Sequence, residues 1–391
     1  MTCLLVATLL ALTCQAGAAG AAVPAAPPPQ VASASAIVVD LDSGKILWAK
    51  DDQSARPPAS LTKILTAYVV LHSVSNLNDT AVITPDARSA PGSRTYAEAG
   101  WSFTIRDLLW GLMLQSGNDA AIALAHKVSP DGTVPGFMNL VNQTAQRLGA
   151  TQTNFVNPHG YDEPGHMTTA RDLATITLAA MKDPIFAEMV ASKSHDIAWG
   201  DGSKHTFFNH NKLLWRYPGT IGVKTGFTEG AGHGLVSAVH RDNGTLVTVL
   251  MDSPDHYAES IALYNWAFTN LDALRAAPLG VLRPGNVDRP ASKSGAIKKT
   301  SNAPNKKTSS TSGLQVVQLR PEVLAAEKKS EHPTKAPLLV PALAFGLATL
   351  VGSLFRKRRR KQKAQSRLMQ QFQQEFDALG GRLEAPEPVD A

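Results

Sequence analysis

The sequence predicts an α+β fold: an antiparallel sheet flanked by helices, with a helical lobe inserted into it. Three features carry that prediction. "AIVVDLDSGKILWAK" (36–50) reads as a strand, an Asp-Ser-Gly turn and a second strand. "GLVSAVHRDNGTLVTVLMD" (234–252) reads as two more strands joined by Asn243-Gly244, a strong short-range hairpin signal. Between them the apolar spacing is helical, so the outer parts of the sheet come from both ends of one domain over about residues 35–275.

Taken in order, the chain opens with "MTCLLVATLLALTCQAGAAG", an apolar run followed by small residues, which predicts a signal peptide over 1–22. Only the terminal amine supplies positive charge ahead of that run. Both cysteines, Cys3 and Cys14, fall inside it. A cleaved chain would keep neither, which excludes thiol catalysis, disulfides and cysteine-bound metals. "VPAAPPPQVASA" makes 23–34 a flexible lead-in.

A helix is expected from about Ser60 to Val74, where two prolines precede an apolar run. "IRDLLWGLMLQSGNDAAIALAHKV" (105–128) is mostly helical, with a break at Ser116-Gly117-Asn118. "FMNLVNQTAQRLGA" is amphipathic and ends in glycine, and "TTARDLATITLAAM" (168–181) begins with a Thr/Asp cap pattern. "PDHYAESIALYNWAFTNLDAL" (254–274) closes the domain with one more amphipathic helix.

Beyond it the composition turns to Lys, Ser, Thr, Asn and Pro, so 276–336 reads as a disordered stalk that could not bury a core. "PLLVPALAFGLATLVGSLF" (337–355) has no charge and would span about 28 Å as a helix. That suits a bilayer core of about 30 Å and predicts a C-terminal transmembrane helix. "RKRRRKQK" begins the basic tail 356–391 and orients it to the cytoplasm, leaving the 35–275 domain on the extracytoplasmic side of the cell membrane. With 391 residues, 43% of them hydrophobic, the chain can bury a large core. Its formal charge of +6 is concentrated in that tail, so it does not point to nucleic acid.

Three short stretches in the domain bear on chemistry. "PPASLTK" sets the Ser60 hydroxyl and the Lys63 amine on one helical face. Ser116 and Asn118 sit at the helix break, and Lys224-Thr225-Gly226 ends a β-branched strand and opens a glycine-rich turn. Singly each arises by chance; in this order, on different elements of one domain, they point to a common site. A serine hydroxyl needs a base, and lysine serves only if burial or a second positive charge lowers its pKa from about 10.4.

The ordered S-x-x-K, S-x-N and K-T-G resemble the serine-type D-alanyl-D-alanine carboxypeptidases, the low-molecular-weight penicillin-binding proteins. "RPPASLTKILTA", "NPHGYDEPGH", "TARDLA" and "NHNKLLWRYPGTIGVKTGFTEGAG" extend the resemblance over about 35–275. It implies a DD-peptidase/β-lactamase-like domain acting on peptidoglycan stem peptides that end in D-Ala-D-Ala, with β-lactams as inhibitors and no metal or cofactor. It further implies that Ser60 attacks, Lys63 takes its proton, Ser116 relays a proton to the leaving amine, and Asn118 holds Lys63 and the substrate amide. Lys224 and Thr225 would grip the terminal carboxylate, Gly226 would allow close approach, and the N–H groups of Ser60 and Phe227 would form the oxyanion hole. His210 stands where some members carry arginine.

Three other readings compete. A β-lactamase needs a carboxylate that activates water, but Glu163 has no Asn four residues later and the middle motif is S-G-N. A zinc peptidase would draw on His159, Asp162 and His166, which fall in a Pro/Gly loop rather than at helical or strand spacing. A catalytically silent penicillin-binding sensor would signal through the tail, although every motif residue is intact. Many family members also carry a β-rich second domain and an amphipathic anchor, where this sequence has the stalk and the span.

Overall fold

The computed structural model describes residues 26–287. The signal peptide, most of the stalk, the expected span and the tail lie outside the described residues. Among the described residues no helix is long and apolar enough to cross a membrane.

The chain begins with the hairpin β1 (Ser35–Asp40) and β2 (Lys45–Lys50), followed by a 3-10 turn (Ala59–Thr62) and α1 (Lys63–Ser73). The helical lobe then holds β3 (Thr80–Val82), α2 (Pro85–Arg88), β4 (Ser102–Thr104), α3 (Ile105–Met113), α4 (Asn118–Val128) and α5 (Val134–Leu148). It continues with α6 (Ala170–Ala180), α7 (Pro184–Ala191), a hairpin of β5 (Ser194–Ala198) and β6 (Lys204–Phe208), and α8 (Leu213–Arg216). The chain returns to the sheet with β7 (Thr220–Thr228), β8 (Gly232–Arg241) and β9 (Gly244–Met251), then α9 (His256–Thr269), α10 (Leu271–Ala276) and β10 (Gly280–Val281).

The main sheet runs β10-β2-β1-β9-β8-β7, antiparallel throughout. Its two chain ends therefore meet at the centre, where Ala36 lies opposite Leu250. Every residue of β1 is buried, because the sheet is covered on both faces. Ile37 and Val39 point into a core shared with α1 and α6, while Ala36 and Val38 pack with Leu263, Tyr264 and Phe268 of α9. A strand covered on both faces reads as a continuous apolar run, as "AIVV" does. α1 is buried all round from Lys63 to Leu71 and forms the axis of the lobe.

Several local expectations hold. Gly149 ends α5 in the left-handed region at φ 87, and the Thr169 hydroxyl caps α6 by accepting from the Asp172 N–H.

Others are corrected. The nucleophile candidate is not the first residue of a helix: Ser60 sits in the 3-10 turn, and the α-helix starts at Lys63. The second hairpin turns one residue early, on Asp242-Asn243, because Arg241 pairs with Gly244. Lys224-Thr225-Gly226 lies within β7, which continues to Thr228 before the turn.

The lead-in is held rather than free over its described part. The Glu259 carboxylate accepts from the N–H groups of Ala32 and Ser33 and from the Ser33 hydroxyl, and the Lys50 amine donates to the carbonyls of Val31 and Ser33. The stalk does not begin at 276 either. β10 adds to the sheet beside β2, with Leu279 N–H on the Ile46 carbonyl (2.8 Å) and Leu282 N–H on that of Gly44 (2.7 Å). Two residues are too short to show a strand pattern, yet the exposed edge of β2 gives them partners.

Glu259 replaces several waters for the lead-in backbone with charge-assisted hydrogen bonds. Substituting Glu259→Ala is expected to lower the unfolding free energy by about 2 kcal/mol in urea denaturation. A change within error would show that the lead-in is not tied down there.

Candidate active site

The turn that carries Ser60 is built from residues with little conformational freedom. Ala59 adopts φ +49, an uncommon left-handed value for a residue with a Cβ, and is almost wholly buried. The turn leads directly into α1, so Lys63 lies one turn on and on the same side. Its Nζ donates to the Ser60 Oγ at 2.8 Å and to the His159 carbonyl at 2.6 Å. Lys63 has no exposure to water. Burial first, and then the charge of Lys224, holds its amine well below the ordinary lysine range, against a smaller opposing pull from Asp119.

The second pair comes from the break between α3 and α4 and from β7. Ser116, at φ +59, turns its hydroxyl to accept from the Lys224 Nζ at 3.1 Å. Lys224 is 2% exposed and also donates to the Thr225 carbonyl at 2.9 Å. Burial alone brings its pKa down to about 7. Both amines are thus held below the ordinary lysine range, and the repulsion between their charges disfavours protonating both at once.

Gly226 closes the gap between strand and turn. A Cβ there would come within 3.2 Å of the Ala59 side chain and the Pro58 carbonyl, so the β7 backbone abuts the turn that carries Ser60. The Phe227 side chain is exposed and stacks on His233 with ring centroids 4.4 Å apart.

Asn118 behaves differently from the expectation. Its amide Nδ2 donates to the Pro91 carbonyl and its N–H to the Ser93 carbonyl (2.8 Å), while its buried Oδ1 has no hydrogen-bond partner. Lys63 is steadied by the His159 carbonyl in its place. Next to it, the Asp119 carboxylate gathers the Thr95 N–H, the Thr95 hydroxyl and the Tyr96 N–H, which fixes the 91–96 loop beside the break. His210 presents an exposed edge, but desolvation on its inner side, then Lys224 and Lys63, push its pKa down to about 4. A neutral imidazole is a weaker carboxylate partner than an arginine guanidinium.

The loop "NPHGYDEPGH", weighed above as a source of zinc ligands and set aside for its Pro/Gly setting, bonds its histidines to backbone N–H groups. Its chemistry is structural. His159 Nδ1 accepts from the Tyr161 N–H (3.2 Å), and the Asp162 carboxylate accepts from the Thr228 hydroxyl (2.6 Å) and the Gly230 N–H (3.0 Å). Exposed Glu163 accepts from the Asn157 amide (2.9 Å). No group of three His, Cys, Asp or Glu among the described residues is placed to hold a metal ion. The one local signal for the loop's true role was Gly160. At φ +88, it lies where a Cβ would fall 1.8 Å from the Ala59 carbonyl oxygen, so only glycine lets the loop lie against the turn.

The family of D-alanyl-D-alanine carboxypeptidases of peptidase class S11 matches residues 22–255. The chain belongs to this family. As a member it is a serine-type D-alanyl-D-alanine carboxypeptidase, a hydrolase. The carboxypeptidase DacB2 of Mycobacterium tuberculosis is 39% identical over 59% of this chain and 81% of its own length. DacA of Haemophilus influenzae is 33% identical over 65% of this chain and 66% of its own. Among solved structures, a D-alanyl-D-alanine carboxypeptidase from Mycobacterium tuberculosis is 36% identical, covering 67% of this chain and 99% of that one, with a TM-score of 0.60. The Streptomyces K15 DD-transpeptidase is 32% identical over 62% of this chain and 99% of its own, also at 0.60.

The buried cation in this carboxypeptidase opposes folding, and its sign with pH follows. The folded pKa of Lys224, about 7, lies below the ordinary 10.5, so between those values the unfolded chain holds a proton that the folded one lacks. Stability from this group therefore rises with pH across that window and is lowest below about 7. Lys224→Met is expected to raise the melting temperature, by more at about pH 6 than at about pH 9, while activity is lost. An equal melting difference at both pH values in calorimetry would contradict the buried ammonium.

Proposed function

We propose that this protein removes the terminal D-alanine from peptidoglycan stem peptides through an acyl-enzyme on Ser60, that penicillins acylate the same serine, and that residues 337–355 anchor it in the membrane with its catalytic domain outside. The observation that supports the chemistry most directly is the 2.8 Å hydrogen bond between Ser60 Oγ and a fully buried Lys63 Nζ.

A neutral Lys63 takes the Ser60 proton as Oγ bonds to the carbonyl carbon of the penultimate D-alanine. The carbonyl oxygen gains the charge and turns to the N–H groups of Ser60 and Phe227, each donor worth about 3 kcal/mol in the transition state. The C–N bond then breaks. The departing amine receives, relayed through Ser116, the proton that Lys63 took from Ser60, which leaves Lys63 neutral again. Water then attacks the ester, its proton passing to Lys63 and on to Ser60 Oγ as the ester C–O bond breaks, and the shortened peptide leaves with both residues restored.

Lys224 and Thr225 bind the free carboxylate of the terminal residue. A buried ammonium at a β-edge is suited to a substrate end that brings a negative charge with it. The unpartnered Asn118 Oδ1 is available to accept an N–H from the substrate backbone, which would satisfy a group now left buried and unbonded.

The test uses the full chain expressed in bacteria. It is expected in the membrane fraction, it hydrolyses diacetyl-Lys-D-Ala-D-Ala, and after benzylpenicillin its intact mass increases by one penicillin. Ser60→Ala is expected to lose both turnover and adduct. A Ser60→Ala variant that still gains the adduct would move the nucleophile elsewhere. Rapid release of hydrolysed nitrocefin by the wild type would favour a β-lactamase.

A further inference from the structure

His166 lies at the end of the "NPHGYDEPGH" loop, 2% exposed, with no place in the acyl-transfer steps above. Its hydrogen bonds fix its chemical form. The Val156 N–H, which can only donate, points at Nδ1 (2.9 Å), so Nδ1 carries no proton. The ring proton of the neutral imidazole is therefore on Nε2, which lies 2.9 Å from the Thr62 Oγ1. That hydroxyl spends its own proton on the Ala59 carbonyl, also at 2.9 Å, and so has a lone pair free for Nε2–H. All three directions agree, and the polar atoms of this relay are satisfied.

The last link matters because of where it ends. The carbonyl it holds belongs to Ala59, the residue at φ +49 that immediately precedes Ser60. Strain of this kind persists only where neighbours over-determine it. Here the Thr62 hydroxyl grips the carbonyl from one side while Gly160 packs against it from the loop. The Phe155 ring stacks on His166, with centroids 4.9 Å apart and planes 10° from parallel, and so fixes the imidazole orientation. Burial lowers the His166 pKa to about 4, with Lys63 adding to the shift and Asp162 opposing it, so the neutral form needed at Nδ1 persists near neutral pH.

We infer that His166 is a positioning residue for the acylation step: acting through Thr62, it locks the strained Ala59-Ser60 turn so that Ser60 Oγ stays in line with Lys63. This rests on the reading of Ser60 as nucleophile. The relay touches neither substrate nor reacting atoms. It sets the geometry of the hydroxyl, and a displacement of about 1 Å at a nucleophile costs on the order of 100-fold in rate.

Stopped-flow acylation by a fluorescent penicillin separates initial binding from bond formation and tests this directly. In Thr62→Val the acylation rate constant is expected to fall about 100-fold with initial binding unchanged, whereas Thr62→Ser, which keeps the hydroxyl, stays near wild type. His166→Leu is expected to match Thr62→Val, and the double variant to be no slower than either, since both break one chain. Should Thr62→Val fail to fold, His166→Gln, which keeps a donor near the Nε2 position, against His166→Leu makes the same comparison. Wild-type rates in Thr62→Val, equal losses in Thr62→Ser and Thr62→Val, or equal losses in the Gln and Leu variants would overturn the relay. A wild-type protein that takes up no penicillin would overturn the Ser60 reading instead.

Discussion

Two lysine side chains, Lys63 and Lys224, are buried in one protein interior on either side of a pair of serine hydroxyls. Two ammonium groups cannot both be accommodated there at ordinary cost, since each lacks water and each raises the potential felt by the other. Each amine meets one serine hydroxyl and one backbone carbonyl, Ser60 and His159 for Lys63, Ser116 and Thr225 for Lys224. On the proposed reading Lys63 is the one that gives up its charge, while Lys224 remains the site's cation. In the proposed mechanism the same constraint supplies a general base and an anion-binding group from one residue type.

That pairing explains why the chain is ordered as it is. Ser60 and Lys63 arrive on the entrance to α1, Ser116 on a break within the helical lobe, and Lys224 on the sheet edge formed after the lobe is complete. None of these elements is near another in sequence. They meet because β1 and β9 pair at the centre of the sheet, which sets β7 along the face where the lobe packs. The loop at 156–166 supplies a further wall, with the His159 carbonyl on Lys63 and Asp162 bonded to the end of β7. One short segment thereby touches both Lys63 and the end of β7.

The elements legible in the sequence were those with local signals. The hairpin at 36–50, the glycine end of α5, the Thr169 cap and the break at Ser116 each rest on residues within one turn of one another. The motif residues were legible because their types are chemically distinctive in that order. The β5–β6 hairpin was not, since "SHDIA" and "KHTFF" mix polar and apolar positions and are ordered by aromatic stacking, such as His195 on Trp110. The lead-in and β10 were missed for a related reason: their partners, Glu259 and the β2 edge, lie far away in sequence. His159 acts through its backbone carbonyl, an atom every residue has, so its identity carried no signal. The Pro/Gly setting of His166 argued against a metal ligand, but sequence shows a side chain's type and not which atoms occupy it, so its bonds to Val156 and Thr62 were not legible.

The protonation state of Lys63 is the point on which base catalysis by an amine depends. A 13C NMR titration of the Lys63 Cε resonance, in protein labelled on lysine, reads it without reference to substrate or inhibitor. The midpoint is expected well below the ordinary lysine range, and it should move upward when Lys224 is replaced by methionine. A Lys63 midpoint near 10.5, unmoved by that replacement, would mean that the amine beside Ser60 is charged when the enzyme works, and the account of its chemistry would fail.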